Sequence, residues 1–181
     1  MKKIFTAILL ILCMSVTSTA VFAEESDDEW SKAFTSVCVD ADSFDLRTPC
    51  GVTEEELEAV LKHKLKGMAK YYLAAEKKYG VNAVFLASVS ALESGWGRYC
   101  FRPNNIFGYG RNSFDSYGEC IDFVASKISK NYLSEDGRYY SGTTIDAVNQ
   151  YYNGREVWAE TVKSIFNRML KKVDLSRQEN I

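Results

Sequence analysis

A mainly α-helical domain with a small β lobe is the architecture this sequence predicts, and three observations predict it. Apolar residues recur at helical spacing along most of the chain after residue 50. Start and stop signals bracket those stretches, with Thr53 and Asn82 as N-caps and Gly80 and Gly95 as stops. Strand-like character is confined to one segment, "IFGYGRNSFDSY", so β structure is expected only as a small lobe. A length of 181 residues suits one domain with a small appendage.

The first 23 residues read as a secretory signal peptide outside that domain. Lys2 and Lys3 form a positive start, Ile8 to Leu12 an apolar centre, and Val21-Phe22-Ala23 a small-residue cleavage site. The apolar run is short and interrupted by Ser and Thr, unlike a membrane span. Leu12 before Cys13 is too large for a lipidation site, so Cys13 is expected to leave with the signal and no membrane anchor to remain.

Residues 24–50 read as an acidic N-terminal extension, 51–173 as the folded domain and 174–181 as a polar tail that frays. Within the domain, Thr53 and Glu56 form a capping box at the first helix, and Gly67 divides the stretch up to Gly80 in two. Asn82 opens the helix "AVFLASVSALES", which Gly95 ends. An amphipathic helix follows over "YGECIDFVASKISKNYL", then a short one from Thr144 to about Tyr152. In the last helix Val162, Ile165, Phe166, Met169 and Val173 form a core stripe.

Without Lys2 and Lys3 the mature chain has 20 basic and 24 acidic residues, a net charge of −4. No basic stripe with interleaved aromatics is visible, which argues against nucleic acid, and the balance gives no help in adhering to an anionic surface. Cys38, Cys50, Cys100 and Cys120 remain after processing, and in an exported protein they read as two disulfides with three possible pairings. The short-range choice, 38–50 and 100–120, is preferred. With no C-x-x-C and a single histidine, His63, on a basic surface stretch, no metal site or other cofactor is expected.

The chemistry concentrates in "ALESGWGRYCFRPNNIFGYG", residues 91–110. Glu93 lies four residues after Val89 and seven after Leu86, so its carboxylate projects from the end of an apolar stripe. Desolvation and the negative helix C-terminus both raise a carboxyl pKa, which suits a general acid. Trp96, Tyr99, Phe101, Phe107 and Tyr109 crowd the following loop around Asn104 and Asn105. Aromatic faces and amides are the materials of a carbohydrate cleft, although a structural cap and core packing also fit these residues.

The segment "FLASVSALESGWGRY...NNIFGYG" resembles the glucosaminidase domain of family 73 glycoside hydrolases, the endo-β-N-acetylglucosaminidases of bacterial cell-wall autolysins. Glu93-Ser94-Gly95-Trp96-Gly97 and Asn104-Asn105-Ile106-Phe107-Gly108 carry the resemblance. It extends through "VTEEEL", "AEKKYGVNAVFL" and "YYNGREVWAETV", covering about residues 51–170. It implies a lysozyme-like fold, with helices around a cleft beside the β lobe.

The resemblance also implies a peptidoglycan hydrolase that cuts between N-acetylglucosamine and N-acetylmuramic acid. Glu93 would be the general acid and Tyr152 the tyrosine opposite it, with Tyr151 its rival. Trp96, Asn104, Asn105, Phe107, Tyr109 and Tyr151 would contact glycan strands. Trp158 stands where the family more often has Tyr and reads as structural. For a second carboxylate, about 5 to 9.5 Å from the acid, Glu119 is chosen over Asp115 and Asp122. Assistance by the substrate's acetamido oxygen is the other route. The expected protein is a monomer in the wall or periplasm. A lytic transglycosylase and an inactive wall-binding module are the rivals. The first lacks its Gly-Leu-Met-Gln-type segment here, and the retained Glu93, Asn104, Asn105 and Tyr152 speak against the second.

Overall fold

The computed structural model describes residues 40–179. Among the described residues six α-helices carry the fold: α1 (Glu54–Val60), α2 (Ala69–Tyr79), α3 (Ala83–Ser94), α4 (Tyr117–Ile128), α5 (Ile145–Tyr152) and α6 (Glu156–Glu179). A 3-10 turn at His63–Leu65 follows α1, and a π turn at Ser129–Leu133 prolongs α4.

α3 is the axis of the molecule. Ten of its twelve residues are buried, so it is apolar all round, as a helix enclosed by others must be. It packs against α6 and α2; α2 in turn carries α4, and α5 lies on α6. Three serines on α3 keep this burial from leaving polar atoms orphaned. Ser88 and Ser94 Oγ donate back to Val84 and Ser90 carbonyls at 2.7 and 2.6 Å, and Ser90 Oγ meets Tyr72 OH at 2.6 Å. α2 and α4 approach so closely that a Cβ on Gly118 would lie 2.6 Å from the Tyr71 ring.

The expected caps form. Thr53 Oγ1 accepts from Glu56 N–H at 3.2 Å while Glu56 Oε2 accepts from Thr53 N–H at 2.8 Å. Asn82 Oδ1 accepts from Phe85 N–H at 2.9 Å, and Thr144 caps α5. Each such cap stabilises by roughly 1 kcal/mol. Gly80 and Gly95 end α2 and α3 in the left-handed region, at φ 63° and 55°. The stripe Val162, Ile165, Phe166, Met169 and Val173 is buried.

Three expectations are corrected. The small β lobe is absent: among the described residues there is no strand, and "IFGYGRNSFDSY" folds as turns. Side-chain amides take the place of a ladder there. Asn104 Nδ2 donates to Phe114 O at 2.8 Å, and Asn105 binds the backbone of Tyr109 and Asn112. The polar tail does not fray at 174, because α6 continues to Glu179, where Arg177 pairs with Glu56 and donates to Gly51 O at 2.9 Å.

The third correction concerns the cysteines. Cys50, Cys100 and Cys120 are free thiols, so the Cys100–Cys120 bridge is not formed. Cys120 is sealed in the core on α4, where burial pushes its thiol up to about 12, whereas Cys100 is half-buried with Sγ 4.0 Å from Tyr117 OH. Cys38, the signal segment and residues 24–39 of the extension lie outside the described residues.

The part of the extension that is described packs into the body. Leu46 is fully buried, accepts from Asn82 N–H and donates to Thr143 O, both at 2.9 Å. Lys163 on α6 binds Asp42 at 2.6 Å and Asp146 at 3.0 Å, which ties this segment to α5 and α6.

Candidate active site

The C-terminal end of α3, the turn at residues 107–110 and the C-terminal end of α5 converge on a pocket of about 210 Å³. Its lining is Glu93, Phe107, Gly108, Tyr109, Gly110, Tyr132, Tyr152 and Asn153. Glu93 is the sole carboxylate in that lining.

Glu93 is half-buried, and burial raises its carboxyl above the ordinary range. Opposing this, Trp158 donates its indole N–H to Glu93 Oε1 at 2.7 Å, a bond that favours the charged form. Oε2 is left toward the turn, 3.5 Å from where a Cβ on Gly108 would stand. The acid is therefore fixed by one oxygen and offered by the other.

Tyr152 packs its ring on Trp158 at 5.1 Å between centroids, and touches Tyr132 and Tyr109 at 5.9 and 6.5 Å. Its hydroxyl points to Phe107 O at 3.4 Å. Burial and the Glu93 carboxylate push its phenol well above the usual tyrosine range, so it stays neutral and keeps its proton.

The structure brings together Glu93, Tyr152, Phe107 and Tyr109 of the residues expected at the site. It separates the others. Glu119 does not line the pocket; it is exposed on the first turn of α4, where its Oε2 accepts from Asp115 N–H at 2.7 Å. Asp115 is exposed, and Asp122 is held by Lys78 at 2.7 Å and Tyr79 OH at 2.9 Å.

Asn104 and Asn105 spend their amides on the loop backbone instead of facing the pocket, and Asn105 is 3% exposed. Asn104 also adopts φ 55°, a left-handed conformation that asparagine tolerates better than most residues. Trp96 is half-buried outside the pocket, with Lys62 Nζ 5.1 Å from its ring centroid. Tyr99 and Phe101 are exposed outside the pocket, and Tyr151 is exposed against Tyr139 at 5.9 Å. Tyr152, not Tyr151, is thus the residue of that pair in the pocket.

Sequence reasoning missed Tyr132, Asn153 and the role of Trp158. Asn153 adjoins Tyr152 and was within reach of a motif argument. Tyr132 lies within the π turn after α4, and no local pattern links it to Glu93.

The chain matches the family model described as Glucosaminidase, mannosyl-glycoprotein endo-beta-N-acetylglucosaminidase, over residues 69–171. Two proteins from Streptococcus pneumoniae strains, each named a putative endo-beta-N-acetylglucosaminidase, are 27% identical over 146 residues. That alignment takes in 71% of this chain but only 22% and 21% of theirs, so the chain spans about a fifth of the curated relatives it matches.

Among solved structures, S. aureus autolysin E in complex with the muropeptide NAM-L-Ala-D-iGlu superposes with a TM-score of 0.63 at 18% identity, covering 81% of this chain and 78% of that one. A catalytic mutant of the same protein in complex with the disaccharide NAG-NAM gives 0.61 at 18% identity, over 81% and 79%. These likenesses establish the fold. The match spans more than half of the chain, from α2 into α6, and with it the pocket that Glu93 and Tyr152 line: the chain belongs to the glucosaminidase family, glycoside hydrolase family 73.

Proposed function

We propose that the protein is an exported peptidoglycan hydrolase that cuts the β-1,4 bond from N-acetylglucosamine to N-acetylmuramic acid, with Glu93 as general acid. The observation that carries this reading is one half-buried carboxylate lining an aromatic pocket, fixed by Trp158. Family membership and the wall fragments bound by the autolysin E neighbours support the substrate class. Export by residues 1–23 and action in the wall or periplasm belong to the same reading.

Glu93 gives its proton to the glycosidic oxygen as the bond to C1 of N-acetylglucosamine breaks, and the 4-hydroxyl of N-acetylmuramic acid leaves. With no second carboxylate in the lining, the acetamido oxygen of the same N-acetylglucosamine closes on C1. Tyr152, neutral and beside Glu93, orients that acetamido group. Water then opens the ring, passing its proton to the Glu93 carboxylate, and a reducing N-acetylglucosamine end is left. Glu119 has no part in this scheme.

The single carboxylate also fits a lytic transglycosylase, and one experiment separates the two. Muropeptides released from purified peptidoglycan by the mature protein and by Glu93→Gln are reduced with borohydride and weighed by mass spectrometry. Reduced N-acetylglucosamine ends from the first and none from the second are expected. Anhydro-muramic or reduced muramic ends would overturn the bond assignment. Equal release by Glu93→Gln would remove Glu93 from the chemistry.

A further inference from the structure

Charge is segregated in this protein. Residues 61–114 hold nine Lys and Arg against two acids, Glu76 and Glu93, within a chain of formal net charge −2. Both acids are engaged: Glu76 accepts from Cys50 and Ala83 N–H at 2.9 and 2.8 Å, and Glu93 from Trp158. Averaging over the whole chain hid this, and so did position. The basic stretch 62–66 and the loop 95–103 are thirty residues apart, and the fold joins them. A Cβ on Gly97 would stand 3.0 Å from Lys64 Cβ and 3.3 Å from Leu65 Cδ2.

The joined surface alternates cations with aromatic rings. Lys62 lies over Trp96 at 5.1 Å, Arg98 over Tyr99 at 5.6 Å and Arg102 over Phe101 at 5.7 Å. Phe101 is 93% exposed and Tyr99 70% exposed, far more than their size favours. Lys62, Lys64, Lys66, Arg98 and Arg102 are all exposed, and none makes an ion pair with a carboxylate among the described residues. The loop bearing Arg98, Tyr99, Phe101 and Arg102 leaves α3 at Gly95, two residues after the pocket's Glu93, so this surface begins at the end of α3 that carries the pocket carboxylate.

We propose that this rim binds the carboxylate-bearing stem peptides of a peptidoglycan strand whose glycan occupies the pocket. The inference rests on the hydrolase reading above and adds a preference to it, for strands that carry stem peptides over strands stripped of them. Arg98, Arg102 and the lysines supply charge for the peptide carboxylates, and Tyr99 and Phe101 supply faces for the sugar rings beside them.

Binding of fluorescent strands to the Glu93→Gln protein tests it without turnover, using wall material freed of other polymers. Stem-bearing strands should bind about tenfold more tightly than amidase-stripped ones, the yield of two exposed charge contacts. The gap should close in Arg98→Glu/Arg102→Glu and shrink in Phe101→Ala, all at exposed positions, and added salt should narrow it. Equal affinity for the two strand types would overturn the proposal. So would a gap that survives the charge reversal, or equal binding to phosphatidylglycerol vesicles lost in the same variant. Preference for stem-bearing strands with no cleavage by the unmutated protein would keep the rim and overturn the hydrolase reading instead.

Discussion

Trp158 and Glu93, 65 positions apart, meet through a 2.7 Å bond from indole nitrogen to carboxylate oxygen. The bond sets two properties of the acid at once. It fixes the carboxyl orientation, and it offsets part of the rise in pKa that burial imposes.

Replacing Trp158 by Phe should therefore move the basic limb of the kcat/KM pH profile upward, because the carboxyl keeps its proton to higher pH. The rate should also fall by about tenfold or more, since the acid is free to turn. Trp158→Tyr, which restores a donor on a ring, should recover part of both effects. A lower rate with an unmoved limb would mean that Trp158 only packs.

Glu93 should also reveal itself in stability. Its folded pKa lies above the unfolded value of about 4.3, so the folded state holds the proton more tightly. That contribution is complete below the unfolded pKa and is lost as pH rises through the folded one. Gln does not titrate. Glu93→Gln should thus melt above the unmutated protein at pH 7, by about 1 kcal/mol as function-relieving changes commonly do, and the difference should vanish in acid. Melting curves across pH 4 to 7.5 decide it, and a gap independent of pH would refute the linkage.

The helices were legible because their signals are local. Thr53, Asn82, Thr144, Gly80 and Gly95 act within four residues of themselves, and the α6 stripe repeats with helical period. Glu93 and Tyr152 were legible as parts of a motif. The β lobe was misread because alternating aromatics mimic a strand, while the amides of Asn104 and Asn105 tie the same backbone into turns. Trp158 and Tyr132 were hidden for another reason. Their places depend on α6 crossing α3 and on where the π turn after α4 returns the chain, which no local pattern encodes.

Asn105 provides a test of that reassigned role. Its amide satisfies Tyr109 N–H and the carbonyls of Tyr109 and Asn112 at 2.9, 3.2 and 3.0 Å. Asn105→Ala strips the half-buried Tyr109 N–H of its acceptor, while Tyr109 O keeps Asn112 Nδ2 at 3.1 Å and Asn112 is exposed, so the change should cost about 1–3 kcal/mol. Limited proteolysis should then cut within residues 104–114, and kcat should fall with the loop's order. A variant that melts normally and loses only substrate affinity would return Asn105 to the substrate contacts.

Gly108 stands at φ 59°, and a Cβ there would lie 3.5 Å from Glu93 Oε2. Gly108→Ala should lose about 1 kcal/mol to the left-handed backbone, near 3 °C in Tm for a chain of this size. The methyl makes ordinary contact with the free oxygen of the acid, so nothing is forced apart. It does cover the oxygen from which the proposed proton transfer would occur, and kcat/KM should drop by more than tenfold with the basic limb displaced upward. Gly80→Ala is the matched control. Its φ is 63°, its Cβ meets nothing within 4 Å, and it caps α2 outside the pocket lining. That variant should show the same loss of stability with unchanged kcat/KM. Equal activity loss in both would trace the effect to the backbone instead of to crowding of Glu93.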